Sequence, residues 1–514
     1  MNAVARIKHF TRRNSEFGTP RSSMGTIALI LVATIISLCY GFSLTNNLVS
    51  PLILLAVPLG LVFTWLAYVN TGYAAVVLLA IRWGYITDSI EAVYKIDSPI
   101  PALVGLLLLS LIIHSINNRS IRIVTDPLLW WVLAYFLFVC LGLWYANYQE
   151  RVEAQIIGTA REFIVCFALI NLIVSKRLFL HAIWLMLLVG AVLGALTVFQ
   201  EITQTHNLNY LGFARVKIGH IAEGLSDRPR AGGPTGEPLA FGQQLTVLVP
   251  LGLWAVMQAR SWFARSAGAL ATVACIAGVA LSFSRSTYIA LAVVLVLFSL
   301  HVRLNLRYLV FLPLLIVLLQ FAPPEFQARV GTLSSLVEDA EDGQGVQSDN
   351  SFQNRSVEML MAVYMFLDHP VIGVGSGNFV EHYTTYIREY GGSLKDEMRN
   401  AHSYYLEVAA EHGLVGLLLF GGIMYMTLAR LQFARGLFKH TGDRQLAELA
   451  VALQIGFLGY MVSALFYHGS YPRYLWVQVT LAVIITAIAK QSLPEQSAAP
   501  ATVSNAPALD KATA

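Results

Sequence analysis

The chain has 514 residues, 56% of them hydrophobic and only 12% charged, with a formal net charge of +4. Soluble domains carry about 25% charged residues, so this composition excludes an ordinary soluble globular protein. The small positive balance carries no argument for a nucleic-acid partner, because basic residues gather in the loops of membrane proteins for topological reasons.

Apolar runs of roughly 17–25 residues recur along the chain, long enough to cross a hydrocarbon core of about 30 Å. Open sheets cannot satisfy their backbone polar groups in lipid. The expected fold class is therefore all-α: a polytopic transmembrane helix bundle of about 12–14 spans with a large, partly helical outer loop. Cys39, Cys140, Cys166 and Cys275 all fall in apolar runs and read as small hydrophobes, with no metal-ligand spacing.

Residues 1–24 are polar and basic, with Arg6, Lys8, Arg12, Arg13 and Arg21, and the apolar run that follows lacks a small-residue cleavage site. A retained first helix with an inner N-terminus is the reading. Spans are expected near 25–44, 48–68, 71–88, 100–116, 127–145, 158–175, 178–200, 237–258, 267–283, 286–302, 306–322, 404–429, 447–467 and 474–490. Arg119 and Arg122, Lys176 and Arg177, Arg260 and Arg265, Arg303 and Arg307, and Arg430, Arg435, Lys439 and Arg444 fall in alternate connections, as a positive-inside arrangement requires. Two spans fit least well: 71–88 contains Arg82, and 158–175 contains Arg161 and Glu162. The bundle 25–322 thus includes an outer loop at 201–236; a large outer loop at 323–403 precedes the last helices at 404–490, and the Ala/Pro/Ser-rich tail 491–514 reads as disordered.

Four motifs lie on the outer side. The segment Arg228-Pro229-Arg230-Ala231-Gly232-Gly233-Pro234 leads into a helix. Guanidinium forks beside a helix N-terminus suit phosphate oxygens, and a rigid loop with solvated arginines is equally compatible. Arg285, in Ser282-Phe283-Ser284-Arg285-Ser286, sits in a tight turn between two spans. An arginine so close to hydrocarbon normally faces a cavity or a partner, the alternative being one that snorkels outward. Gly373, Gly375 and Gly377 follow Asp368-His369-Pro370 with no strand before them, which favours a loop-shaping turn over a phosphate cradle. His402 opens the helix that re-enters the membrane, where neutral imidazole can accept a hydroxyl proton. The acidic run Glu338-Asp339-Ala340-Glu341-Asp342 lacks calcium-loop spacing and reads as a solvated linker. The amphipathic stretch 354–367 reads as an outer helix able to cover a lipid headgroup. His206, His220, His369 and His412 default to loop or packing roles.

Taken in order, these pieces resemble the O-antigen ligase and Wzy-type polysaccharide polymerase family. The residues that carry the resemblance are Arg230-Ala231-Gly232, Phe283-Ser284-Arg285-Ser286, Asn354-Arg355 ahead of His369-Pro370-Val371-Ile372-Gly373-Val374-Gly375-Ser376-Gly377-Asn378-Phe379, and Ala401-His402-Ser403-Tyr404 with Leu406, Glu411, Gly413 and Gly416. The match by motif spans roughly residues 180–440, and Ser403 and Leu239 stand where the family often has Asn.

The resemblance implies a metal-independent, inverting glycosyl transfer at the periplasmic face of a bacterial inner membrane, with no cofactor. The donor would be an oligosaccharide or polysaccharide on undecaprenyl diphosphate, and the acceptor a glycan or lipid A-core. By position, Arg230 and Arg285 match the arginines that hold the diphosphate and His402 the histidine that assists the acceptor; Arg228, Arg355 and Glu411 are supporting candidates. A flippase and a chain-length regulator are candidate partners beside the lipid bilayer. Within the family, a polymerase of exopolysaccharide or O-antigen repeat units is favoured by the Arg-Ala-Gly-Gly-Pro-Thr-Gly-Glu-Pro segment. A ligase onto lipid A-core and a protein O-oligosaccharyltransferase are the alternatives. A transporter or flippase is the reading from another class, disfavoured by few membrane-embedded carboxylates and no paired interrupted segments.

Overall fold

A computed structural model describes residues 51–95, 98–118, 123–219, 228–302, 350–390, 399–469 and 472–493. The expected spans 25–44 and 306–322, the N-terminal basic segment, Cys39, His220, the acidic run at 338–342 and the tail from 494 onward lie outside the described residues.

The described chain is an all-α assembly: α1 Pro51–Val69, α2 Thr71–Trp83, α3 Ile86–Tyr94, α4 Ile100–Asn118, α5 Pro127–Tyr145, α6 Gln149–Leu172, α7 Lys176–Thr203, α8 Pro238–Gln258, α9 Trp262–Leu281, α10 Arg285–Val302, α11 Asn350–Asp368, α12 Phe379–Glu389, α13 Tyr404–His440, α14 Arg444–Ala464 and α15 Arg473–Gln491. Nine of these described helices, α5 to α10 and α13 to α15, are long and apolar enough to cross a membrane. Helices apolar all round belong inside a bundle, and those with one buried side belong at its rim. Accordingly α8, α14 and α15 are almost wholly buried, whereas α5 turns Trp130, Leu137 and Trp144 outward.

Two expectations are corrected. The expected span 71–88 ends at Trp83, because the backbone turns at Gly84 and at Tyr85, whose φ is 54°. The expected span 404–429 runs on to His440 and is broken at Gly413, with φ 61° and ψ −160°, a region open essentially to glycine alone. The charges in the least convincing spans find each other: Arg82 is paired with Glu162, and Arg473 grips Asp88 through both nitrogens at 2.6 Å. A buried pair with its partners in place is tolerated where a lone charge is not.

Antiparallel succession puts the connections at 145–149, 203–238, 281–285 and 464–473 at one end, together with the start of α13. At the other end, Lys176 meets Asp443 at 2.5 Å, and Asp126 takes Arg430 at 2.9 Å and Lys490 at 3.3 Å. Those ion pairs hold the basic ends of α5, α7, α13 and α15 together. The motifs described above all fall at the first end.

Candidate functional site

The 201–236 connection holds an element unforeseen in the sequence. β1 (Arg215–Gly219) and β2 (Arg228–Gly233) form an antiparallel ribbon that pairs Lys217 with Arg230 and Gly219 with Arg228. Only the backbone of Arg228 is described. A turn follows in which the Thr235 hydroxyl donates to the Gly232 carbonyl at 2.8 Å and Arg215 to the Pro234 carbonyl at 2.7 Å. Pro238 then starts α8 at the position where a missing N–H is harmless. The ribbon thereby fixes Arg230 beside α8 and the α9–α10 turn.

Arg230 reaches the second motif directly. Its Nε donates to the Ser282 carbonyl at 3.2 Å, and the turn it touches is itself pinned. Ser282 Oγ donates to the Val279 carbonyl at 2.7 Å, Thr287 Oγ1 to the Ser284 carbonyl at 2.9 Å and the Tyr288 hydroxyl to the Ala280 carbonyl at 2.6 Å. Arg285 is the first residue of α10, three positions beyond Ser282. Burial lowers the Arg230 pKa to about 10, and the nearby charges of Arg355 and Arg285 push in the same direction. Arg285 on α10 and Arg355 on α11 therefore both lie within electrostatic reach of Arg230 on β2. Cations crowded in partly dry surroundings are held at a free-energy cost that an anion between them would offset.

The fourth motif forms a second cluster. His402 has a φ of 50° and sits two residues before α13. Its Nδ1 lies 2.5 Å from Glu358 Oε2 on α11, and Arg399 Nη1 donates to the other carboxylate oxygen at 2.7 Å. Glu358 is fully buried while His402 keeps about a quarter of its side chain exposed. Burial alone would raise the Glu358 pKa, but hydrogen bonds and charge from His402 and Arg399 hold it below the usual carboxylate range. The imidazole of His468, from the α14–α15 connection, stands edge-on to His402 with ring centres 5.8 Å apart. Burial, then the neighbouring His402, lowers its pKa to about 3.

The two clusters join through α11. Arg355, beside Arg230, precedes Glu358, beside His402, by three residues, about one helical turn. A second link runs through the ribbon: Lys217, the strand partner of Arg230, lies close enough to His468 to act on its ionisation. Arg285 and Arg355 thus lie within electrostatic reach of Arg230, and Arg355 lies one helical turn from the carboxylate that faces His402.

Glu411 and the three glycines build the wall behind it. The loop after His369 docks into the break in α13. Val374 and Gly375 donate to the carbonyls of Ala410 and Glu411 at 3.0 and 2.8 Å, while Leu414 and Val415 donate to Pro370 and Val371 at 2.8 and 3.2 Å. The broken helix so recovers partners it would lack in lipid. Gly373, Gly375 and Gly377 all have positive φ, and a Cβ on Gly373 would stand 2.3 Å from the backbone of Glu411. The Glu411 carboxylate accepts from the Phe379 N–H at 3.2 Å and so caps α12. Those loop amides are committed to α13, which suits a shaping role rather than a phosphate cradle. His412 packs between the rings of Tyr135 and Phe138, His206 lies 3.7 Å from Glu201, and His369 is exposed.

Sequence reasoning missed Glu358, Arg399 and His468. A signal for Glu358 existed: with Met361, Ala362 and Met365 it lies on the buried stripe of an amphipathic helix at spacings of three, four and seven. A carboxylate on such a stripe needs a partner. Among the described residues no cluster of His, Cys, Asp and Glu is arranged to hold a metal ion.

Residues 270–421 match the family model described as O-antigen ligase. That stretch includes Arg285, Arg355, Glu358, the glycine turn and His402, and leaves out the ribbon with Arg230. No curated protein matches the chain.

Proposed function

We propose, on the premise that this membrane protein belongs to the O-antigen ligase and Wzy-type family through residues 270–421, that it transfers a glycan from undecaprenyl diphosphate to a sugar hydroxyl at the periplasmic face. The observation that carries the reading is the junction on α11, where Arg355, whose charge acts on Arg230, stands one turn from Glu358, which faces His402. The basic ends of the helices lie at the opposite end of the bundle, which supports an outward-facing site.

The chemistry follows from the charges. The acceptor oxygen attacks the anomeric carbon as the bond to the diphosphate oxygen breaks, and the bonding pair leaves with undecaprenyl diphosphate. Negative charge grows on the diphosphate, where Arg230, Arg285 and Arg355 stabilise it in a partly dry site; fixed donors of this kind supply the largest share of many rate enhancements. His402 Nδ1 faces two acceptors, the Glu358 carboxylate at 2.5 Å and the Asn400 carbonyl at 3.1 Å, so it carries the proton and leaves the Nε2 lone pair to receive the acceptor proton, as in a carboxylate-oriented catalytic base. Attack on the face opposite the leaving group inverts the anomeric centre. Polymerisation of repeat units is the specific form favoured by the Arg230-Ala231-Gly232-Gly233-Pro234 segment, with a flippase supplying the lipid-linked unit and a chain-length regulator as a further partner.

Complementation of a null strain tests the site. His402→Ala and Arg285→Ala should abolish surface glycan while the variants accumulate in the membrane at wild-type level. Wild-type glycan from either variant would refute the assignment.

A further inference from the structure

α12 and the residue after it carry a stripe of tyrosines. Tyr383, Tyr386 and Tyr390 recur at intervals of three and four, which places them on one side of the helix. The inner end of the stripe abuts the catalytic cluster. Burial raises the Tyr383 pKa, the Glu358 carboxylate raises it further and Arg399 opposes the shift, so the phenol lies beside the pair that holds His402. The outer end reaches the surface. Tyr383 and Tyr386 are buried, whereas Tyr390 is 44% exposed.

At that outer end the rings are laid nearly parallel. Tyr390 stacks on Tyr364 of α11 with centroids 4.2 Å apart and planes 14° from parallel, and on Tyr386 at 6.1 Å and 18°. The Tyr386 hydroxyl sits against the exposed carboxylate of Asp368, which adds to burial in raising its pKa. Here the ring of Tyr390, part of Tyr364 and the carboxylate of Asp368 reach the outer surface, and the buried Tyr386 backs them.

Such a patch has the chemistry of a sugar subsite. A pyranose ring presents a patch of C–H bonds on one face and hydroxyls around its rim. Flat aromatic surface complements the first, and carboxylate and phenol oxygens accept from the second. Apolar lining with a few convergent polar groups is the usual composition of a small-molecule site. From Tyr383 to Tyr390 the helix rises about 10 Å, room for one or two pyranose units outward from the reacting hydroxyl.

We propose that Tyr364 and Tyr390, with Asp368 and backed by the buried Tyr386, form a sugar-binding platform that holds the acceptor glycan one or two residues away from the hydroxyl that reacts at His402. The platform rests on the glycan-transfer reading above. It makes acceptor recognition depend on sugar units beyond the one that reacts, and it places the acceptor chain along α12 rather than over the arginines.

The test uses the full-length protein in detergent or nanodiscs, the source strain's lipid-linked repeat unit as donor, and repeat-unit oligosaccharide released by mild acid as the soluble probe. Saturation-transfer NMR reports binding of the probe without donor, and initial rates give KM and kcat for acceptor. Tyr390→Ala and Tyr364→Ala should weaken probe binding about tenfold, and acceptor KM should rise at least tenfold more than kcat falls. Tyr390→Phe, which keeps the flat ring and guards against a folding defect, should restore both to within about twofold of wild type. His402→Ala should abolish transfer and still bind the probe. Wild-type binding and KM in Tyr390→Ala, with His402→Ala inactive, would overturn the platform alone. Transfer that persists in His402→Ala would overturn the underlying reading instead.

Discussion

Glu358 Oε2 stands 2.5 Å from His402 Nδ1, and the carboxylate is fully buried while the imidazole is partly exposed. Together with the Asn400 carbonyl, 3.1 Å from the same nitrogen, this buried carboxylate, itself held by Arg399, sets which imidazole nitrogen carries the proton and which is basic. Glu358→Ala should therefore lower the rate of transfer by about 10²- to 10⁴-fold, the range seen when a catalytic base or its orienting group is lost. The acceptor KM should change much less. Initial-rate measurements on purified protein separate the two; an acceptor KM effect with kcat retained would mean that Glu358 shapes the acceptor pocket and does not orient the base.

The arginine trio makes a thermodynamic prediction. Arg230 has its pKa lowered by burial and then by Arg355 and Arg285, and a cation whose folded pKa is depressed destabilises the folded state while it is protonated. An anion bound beside this buried cation should therefore stabilise the protein. Inorganic pyrophosphate or a short polyprenyl diphosphate should raise Tm of the wild type. Arg230→Ala should raise the ligand-free Tm slightly and remove most of the ligand-induced shift. A full shift retained in Arg230→Ala would show that the diphosphate binds elsewhere.

The pH dependence of stability has a definite sign. His468 has its pKa lowered to about 3 from an ordinary value near 6.5, by burial and by His402. Between those values the unfolded chain binds the proton more readily than the folded one, so stability is full above pH 6.5 and falls as the pH is lowered toward 3. The slope from this one group approaches about 1.4 kcal/mol per pH unit within the window. His468→Gln should flatten that part of a Tm-against-pH curve. An unchanged slope would mean that His468 is readily protonated in place.

Much of the architecture was readable because burial in lipid leaves a length signature. The spans at 127–145, 178–200 and 237–258 reappear within a few residues as α5, α7 and α8. Arg82 and Glu162 counted against two spans in the sequence, because pairing between helices has no sequence signature; in the fold they neutralise each other. His402 and the arginines stood out because each is a polar group placed where lipid begins. Glu358 and His468 did not, since what matters for them is a neighbour distant in sequence. The ribbon at 215–219 and 228–233 was missed for a related reason: Arg-Pro-Arg-Ala-Gly-Gly lacks alternating apolar residues, and its pairing comes from docking over the bundle.

The splice between the glycine turn and α13 should be intolerant of any side chain. A Cβ on Gly413 would stand 2.4 Å from the Val371 backbone and would carry a φ of 61°, and Gly373 is confined in the same way by Glu411. Gly413→Ala and Gly373→Ala should each destabilise by about 3 kcal/mol or more, strain and collision together. Gly421→Ala, with open space around it, serves as the control. Thermal melts in detergent would show the contrast; equal melts for all three would contradict the docked-loop geometry.

The central claim is glycosyl transfer at the junction of Arg230, Arg285 and His402. It is tested most directly by purified protein reconstituted with the lipid-linked repeat unit as its sole substrate. The wild type should convert it into a ladder of longer chains, with free undecaprenyl diphosphate released in step, and His402→Ala and Arg285→Ala should each yield none. A ladder from either variant equal to that of the wild type would contradict the account.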